Sequence, residues 1–131
     1  MLRSLQVVAA ILLAVCIHTG APTGCIEPAV DLDLKAIYYS NLDGTGPSTS
    51  KPRAIRYSKI AEVGSDVVDL LIEAQGPYKP FNVDHNFNSG RCRQVGNVNL
   101  AAGTAVNLTF KLVLHRQDEL VKLPNFHLTF F

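Results

Sequence analysis

Val106-Asn107-Leu108-Thr109-Phe110-Lys111-Leu112 is the stretch that decides the fold. Val106, Leu108, Phe110 and Leu112 recur at every second position, separated by Asn107, Thr109 and Lys111. Side chains of an extended chain point alternately to its two sides, so this rhythm gives one apolar face for a core and one polar face for solvent. A helix would scatter the same residues around its circumference. The run predicts a half-buried β-strand.

Working outward, the rhythm recurs. Val30-Asp31-Leu32-Asp33-Leu34-Lys35-Ala36 alternates apolar and polar residues and runs on into Ile37-Tyr38-Tyr39. Residues 54–60 predict a second strand. In residues 67–74, Val68, Leu70, Ile72 and Ala74 share one face, while Val67 and Leu71 join Asp69 and Glu73 on the other. A strand apolar on both sides is expected to be covered on both. A helix over 61–74 is the rival, but Gly64 and the clustered β-branched residues favour a strand. Val95, Asn97 and Asn99 alternate with Gly96, Val98 and Leu100, and Phe126, Leu128 and Phe130 alternate with His127 and Thr129. Glycine, proline and polar clusters at 41–52, 75–93, 101–104 and 116–119 break the chain between these runs. The expected fold is all-β: an antiparallel β-sandwich of six to seven or more strands, with no amphipathic helix.

The N-terminal end has a different character. Arg3 precedes eleven uncharged apolar residues, 7–17, which are followed by the small and polar stretch 18–24. This is the order of a secretory signal peptide, and its apolar run falls well short of the ~20 residues of a membrane span. The expected division is a signal peptide over 1–24, cleaved within the window 20–25, and a single β-sandwich domain over 25–131. A lipoprotein reading would lipidate Cys25, but Pro22-Thr23-Gly24 lacks the aliphatic residue usual three positions before such a cysteine. Processing leaves Cys25 and Cys92, which an oxidising compartment would join in one bridge. A loop of that length contributes about 4 kcal/mol through chain entropy. Two free thiols, or pairing to another chain, are the alternatives.

Composition narrows the function classes. Twelve basic residues against eleven acidic ones leave no electrostatic footprint for a nucleic acid. At 47% hydrophobic and 18% charged, the chain has the apolar surface to build a core, unlike a disordered segment.

Candidate site residues cluster in one stretch. Asp84, Asn86 and Asn88 occupy alternate positions, as the hard oxygen ligands of a calcium loop do. The helical calcium loop also needs glycine sixth and glutamate twelfth, where Ser89 and Val95 stand. A looser calcium site, or Asx-type turns, remain as readings; Asp31 and Asp33 form a second, weaker cation candidate. With Tyr78, Phe81, His85 and Phe87 nearby, the stretch has the chemistry of a sugar site, where aromatic faces meet C–H patches and amides and carboxylates bond hydroxyls. Tyr78, Asp84, His85, Asn86 and Asn88 are the candidate ligand contacts. Asn107-Leu108-Thr109 is an N-glycosylation sequon, with Asn107 on the polar side of its strand. Catalysis has little support: no G-x-S-x-G, H-E-x-x-H or phosphate-binding glycine loop occurs, and His85, His115 and His127 stand alone in sequence, without metal-ligand spacing. No catalytic residue or bound metal is assigned.

Val106-Asn107-Leu108-Thr109-Phe110 and Leu123-Pro124-Asn125-Phe126-His127-Leu128-Thr129-Phe130-Phe131, with Ala36-Ile37-Tyr38-Tyr39-Ser40-Asn41 and Val68-Asp69-Leu70, resemble segments of uncharacterised secreted β-sandwich proteins of microbial eukaryotes. The likeness spans about 30–125 and lies in strand patterns. It implies a secreted β module without an assigned activity and transfers no functional residue. In that group the last aromatic strand runs on into an acidic Asp-x-Asp segment, so the resemblance implies a chain continuing past Phe131. The expected function is a secreted binding or adhesion module whose partner is an extracellular glycan or protein, with no nucleic acid and no membrane span in the mature chain. A small secreted hydrolase and a non-catalytic structural domain of a longer cell-surface protein are the alternatives.

Overall fold

A computed structural model describes residues 29–86 and 96–129. Among these residues, strands β1 (Ile37–Ser40), β2 (Ala54–Val63), β3 (Asp66–Gln75) and β4 (Asn107–Leu114) form one antiparallel sheet in chain order. The helical pieces among the described residues are the single 3₁₀ turns Leu42–Gly44 and Val83–His85. The protein is all-β, as its alternating pattern predicts. None of its described helices is long and apolar enough to cross a membrane.

Residues 61–74 are strand rather than helix. Val63 pairs with Asp66 across Gly64-Ser65, and Gly64 takes φ +60°, which suits a two-residue hairpin turn with glycine first. From Val68 to Ile72 every residue of β3 is buried, so this strand is covered on both sides as expected.

One sheet face carries the main core. Ile55, Tyr57, Val68, Leu70 and Ile72 are buried there, and Leu108, Phe110 and Leu112 of β4 pack beside them. The layer above consists largely of irregular chain: Val30, Leu32 and Leu34, then Val98 and Val106, then Val121 and Leu123, with Leu42 and Tyr78 at its margin. The opposite face has a small apolar cluster of Tyr39, Ala54, Leu71 and Val113. Around it lie charged residues: Arg56 on β2, Asp69 and Glu73 on β3, Lys111 on β4. Lys111 donates to Glu73 at 2.6 Å.

Three runs expected as strands take no place in this sheet. Residues 30–36 keep their apolar residues on the core, but Asp33 Oδ1 accepts the Lys35 amide and turns the chain before a ladder can form. Residues 96–100 are irregular because side chains satisfy their backbone: the Asn97 amide donates to the Tyr57 hydroxyl and the Asn99 amide to Asn86 Oδ1. Phe126 makes one isolated bridge to Val30, and residues 127–129 run on without strand pairing. Alternation marks which side chains face the core; it does not supply the neighbouring strand that a ladder needs.

The loop from β1 to β2 is held from within. Asn41 donates its side-chain amide to the Lys51 carbonyl at 2.7 Å, and Gly46 lies so close to β1 that a Cβ there would sit 2.2 Å from the Ser40 carbonyl oxygen.

Candidate functional site

The expected ligand residues fall in the loop that follows β3. Tyr78 enters the interior and is anchored at its amide, which donates to Asp43 Oδ2 at 3.1 Å. Its hydroxyl accepts from Asn86 Nδ2 at 2.8 Å and donates to the Asn99 carbonyl. Burial pushes this hydroxyl above the usual tyrosine range, against the opposing bond from Asn86, so it stays a neutral donor. Asn86 Oδ1 accepts both the Asn99 amide (2.8 Å) and Asn99 Nδ2 (2.7 Å). Asn82 and Asn99 clasp each other: the Asn82 amide donates to Asn99 Oδ1, and Asn99 Nδ2 donates to the Asn82 carbonyl. Asn97 Nδ2 adds a bond to the His85 carbonyl.

Two of the expected contact residues, Tyr78 and Asn86, are therefore buried and bonded to each other. They position the loop. Asp84 and His85 are exposed on the 3₁₀ turn that this knot supports. Phe81, just before the turn, is 76% exposed, and Val83 is exposed beside it. Asn88, Cys25 and Cys92 lie outside the described residues. Asn107 is exposed at the first position of β4. Asp33 is engaged by Lys35 at 2.8 Å, and no group of three or more potential metal ligands occurs among the described residues.

A second cluster, which no sequence motif marks, lies elsewhere on the sheet. On the polar sheet face, Asp69 is 1% exposed and takes the Arg56 Nε at 2.8 Å on its Oδ2. Its Oδ1 accepts the Lys59 amide at 2.8 Å and lies 2.9 Å from His115 Nδ1. Burial alone would push the Asp69 carboxyl up, but the Lys59 amide, His115 and Arg56 together hold it below its ordinary value. Arg56 continues outward to the Leu114 and Gln117 carbonyls and to Asp118, closing the chain after β4 over the sheet. The geometry depends on a bulge in β2 between Tyr57 and Ala61, where Lys59 adopts φ +54° and turns its N–H onto Asp69. Asp118, which lies close to His115 in sequence, goes to Arg56 instead.

A faint signal for this cluster was present. Asp69 interrupts the apolar run 67–72, and Arg56 sits between Ile55 and Tyr57. A charge inside a buried strand requires an opposite partner. Which partner it finds depends on register, which the pattern leaves open.

Comparison of the chain with protein families, with curated proteins and with solved structures finds no match.

Proposed function

We propose that this chain is a secreted extracellular binding module that engages a glycan through the loop bearing Phe81, Asp84 and His85. The observation that carries the reading is the 76% exposure of Phe81 on a loop pinned from below by Tyr78, Asn86 and Asn99. A large aromatic ring left in water on a rigid support loses little entropy when it stacks on the C–H face of a sugar. The Asp84 carboxylate and the His85 ring supply partners for hydroxyl groups within four residues of chain.

The same reading takes residues 1–24 as a cleaved signal peptide, Cys25 and Cys92 as a disulfide and Asn107 as a glycosylated residue. It takes the irregular segments over the apolar sheet face as the second layer of a β-sandwich. The test is a glycan array probed with the processed protein. Saturable binding that is lost in Phe81→Ala and weakened in Asp84→Ala, with both variants folded, supports the proposal. An array without saturable binding, or binding that survives Phe81→Ala, removes it.

A further inference from the structure

We propose that His115, oriented by Asp69, is a catalytic base that hydrolyses small acyl esters in the groove beside it. The groove is shallow, encloses about 270 Å³, and is lined by Ser65, Asp66, Val67, Leu114, His115 and Gln117. None of these residues belongs to the loop bearing Phe81, and the inference does not rest on glycan binding.

Three independent features converge on the imidazole. An ionised, buried carboxylate 2.9 Å from Nδ1 makes that nitrogen the proton carrier, so Nε2 keeps its lone pair. The His115 side chain is 22% exposed and lines the groove, while the carboxylate behind it is sealed from water. The support is rigid: Arg56 bonds both Asp69 and the Leu114 and Gln117 carbonyls that bracket His115. Among the described residues, two of the three non-glycine residues with positive φ, Lys59 (+54°) and Arg116 (+60°), flank this pair. Strained backbone of this kind persists where surrounding contacts over-determine it, and it concentrates at functional sites. Of the charged groups near the imidazole, Asp69 faces it directly, Asp66 lines the same groove, Arg56 bonds Asp69 and Asp118, and Arg116 adjoins His115 in the chain.

The chemistry uses solvent water as nucleophile. As the water oxygen bonds to the acyl carbon, His115 Nε2 takes its proton, and the carbonyl electron pair moves onto oxygen. The Ser65 hydroxyl and the Gln117 side-chain amide line the groove and can donate to that oxygen. Collapse re-forms the carbonyl and breaks the ester C–O bond, and the imidazolium returns its proton to the departing alkoxide. Acid and alcohol leave, and the imidazole is restored. Val67, on the same sheet face as Asp69, gives the groove an apolar patch suited to a short acyl chain.

The test is turnover of p-nitrophenyl acetate and p-nitrophenyl butyrate by the whole protein. The expected result is saturable hydrolysis whose kcat/KM falls by about a hundredfold in His115→Gln and is unchanged in His127→Gln, an exposed histidine away from the groove. Carbethoxylation of the unmodified protein gives a second readout: turnover should be lost in step with modification of His115 located by peptide mapping, which keeps the test decisive even where a variant is poorly folded. Hydrolysis without saturation, undiminished turnover in folded His115→Gln, or full turnover retained after His115 is modified overturns the proposal.

Discussion

His115 holds Nδ1 2.9 Å from Asp69 Oδ1, although 46 residues separate them in the chain. The register of β3 against β4 brings them together: Asp69 pairs with Val113, and Val68 with Leu114, so His115 follows the end of β4 on the same face as Asp69. Asp69 thereby joins three segments, taking one bond each from Arg56 of β2, the Lys59 amide in the β2 bulge and His115.

Stability should fall in acid through Asp69. Its folded carboxyl titrates below the ordinary 3.8. A depressed carboxylate contributes stability that is fully present above its unfolded value and lost as pH falls through its folded value. Urea midpoints measured from about pH 7 to pH 2 should therefore drop below the ordinary aspartate range. Asp69→Asn should lose about 1–3 kcal/mol at neutral pH, because it removes the buried charged partner of Arg56 and leaves it with exposed Asp118 and two carbonyls, and should show a shallower acid decline.

The loop should separate positioning from contact. Asn86→Ala removes the acceptor for two Asn99 donors and the donor to Tyr78, and should cost about 1–3 kcal/mol in thermal unfolding. Phe81→Ala, at a residue already in solvent, should change stability by less than about 0.5 kcal/mol. If Asn86→Ala is neutral, the buried knot is not what holds the loop.

Gly96 and Tyr57 should behave as a coupled pair. A Cβ at Gly96 would lie 2.9 Å from the Tyr57 hydroxyl oxygen and 3.3 Å from Leu34 Cδ1, so Gly96→Ala should cost about 1–3 kcal/mol. Tyr57→Phe alone loses the bond from the Asn97 amide, a cost of about 1 kcal/mol. In the double variant the hydroxyl is absent and part of the clash is relieved. A double-mutant cycle on chemical unfolding should show less destabilisation than the two single losses added together.

Lys59→Gly should stabilise the fold slightly. Lys59 is exposed and holds φ +54°, a conformation that costs a residue with a Cβ about 1–2 kcal/mol and glycine almost nothing. Glycine's larger unfolded-state entropy takes back about 0.5–1 kcal/mol. Its N–H still reaches Asp69, so a net gain of about 0.5 kcal/mol in the urea midpoint is expected. Lys59→Pro lacks that N–H and fits only negative φ, and should be strongly destabilised.

The legible part of this protein was its burial pattern. The runs 54–60, 67–74 and 106–112 read as strands, and the structure places β2, β3 and β4 over them, because each face of a β-strand sees a constant environment and selection for that environment writes period two into the chain. Residues 30–36 and 96–100 carry the same mark yet stay irregular, since Asp33 and Asn99 offer local side-chain bonds that compete with a ladder. At the candidate loop, the sequence showed aromatic and amide groups in one stretch. It did not show that Tyr78 and Asn86 turn inward while Phe81 turns out.

Sequence by itself determined the all-β class and the choice of strand over helix for 61–74, because these depend on neighbours a few residues apart. Tertiary structure alone decided that Arg56, Asp69 and His115 form one network, and that one loop exposes Phe81 on a buried asparagine clasp. Those contacts join residues from separate strands and loops, and they exist only once strand register and the β2 bulge bring distant side chains within hydrogen-bonding reach.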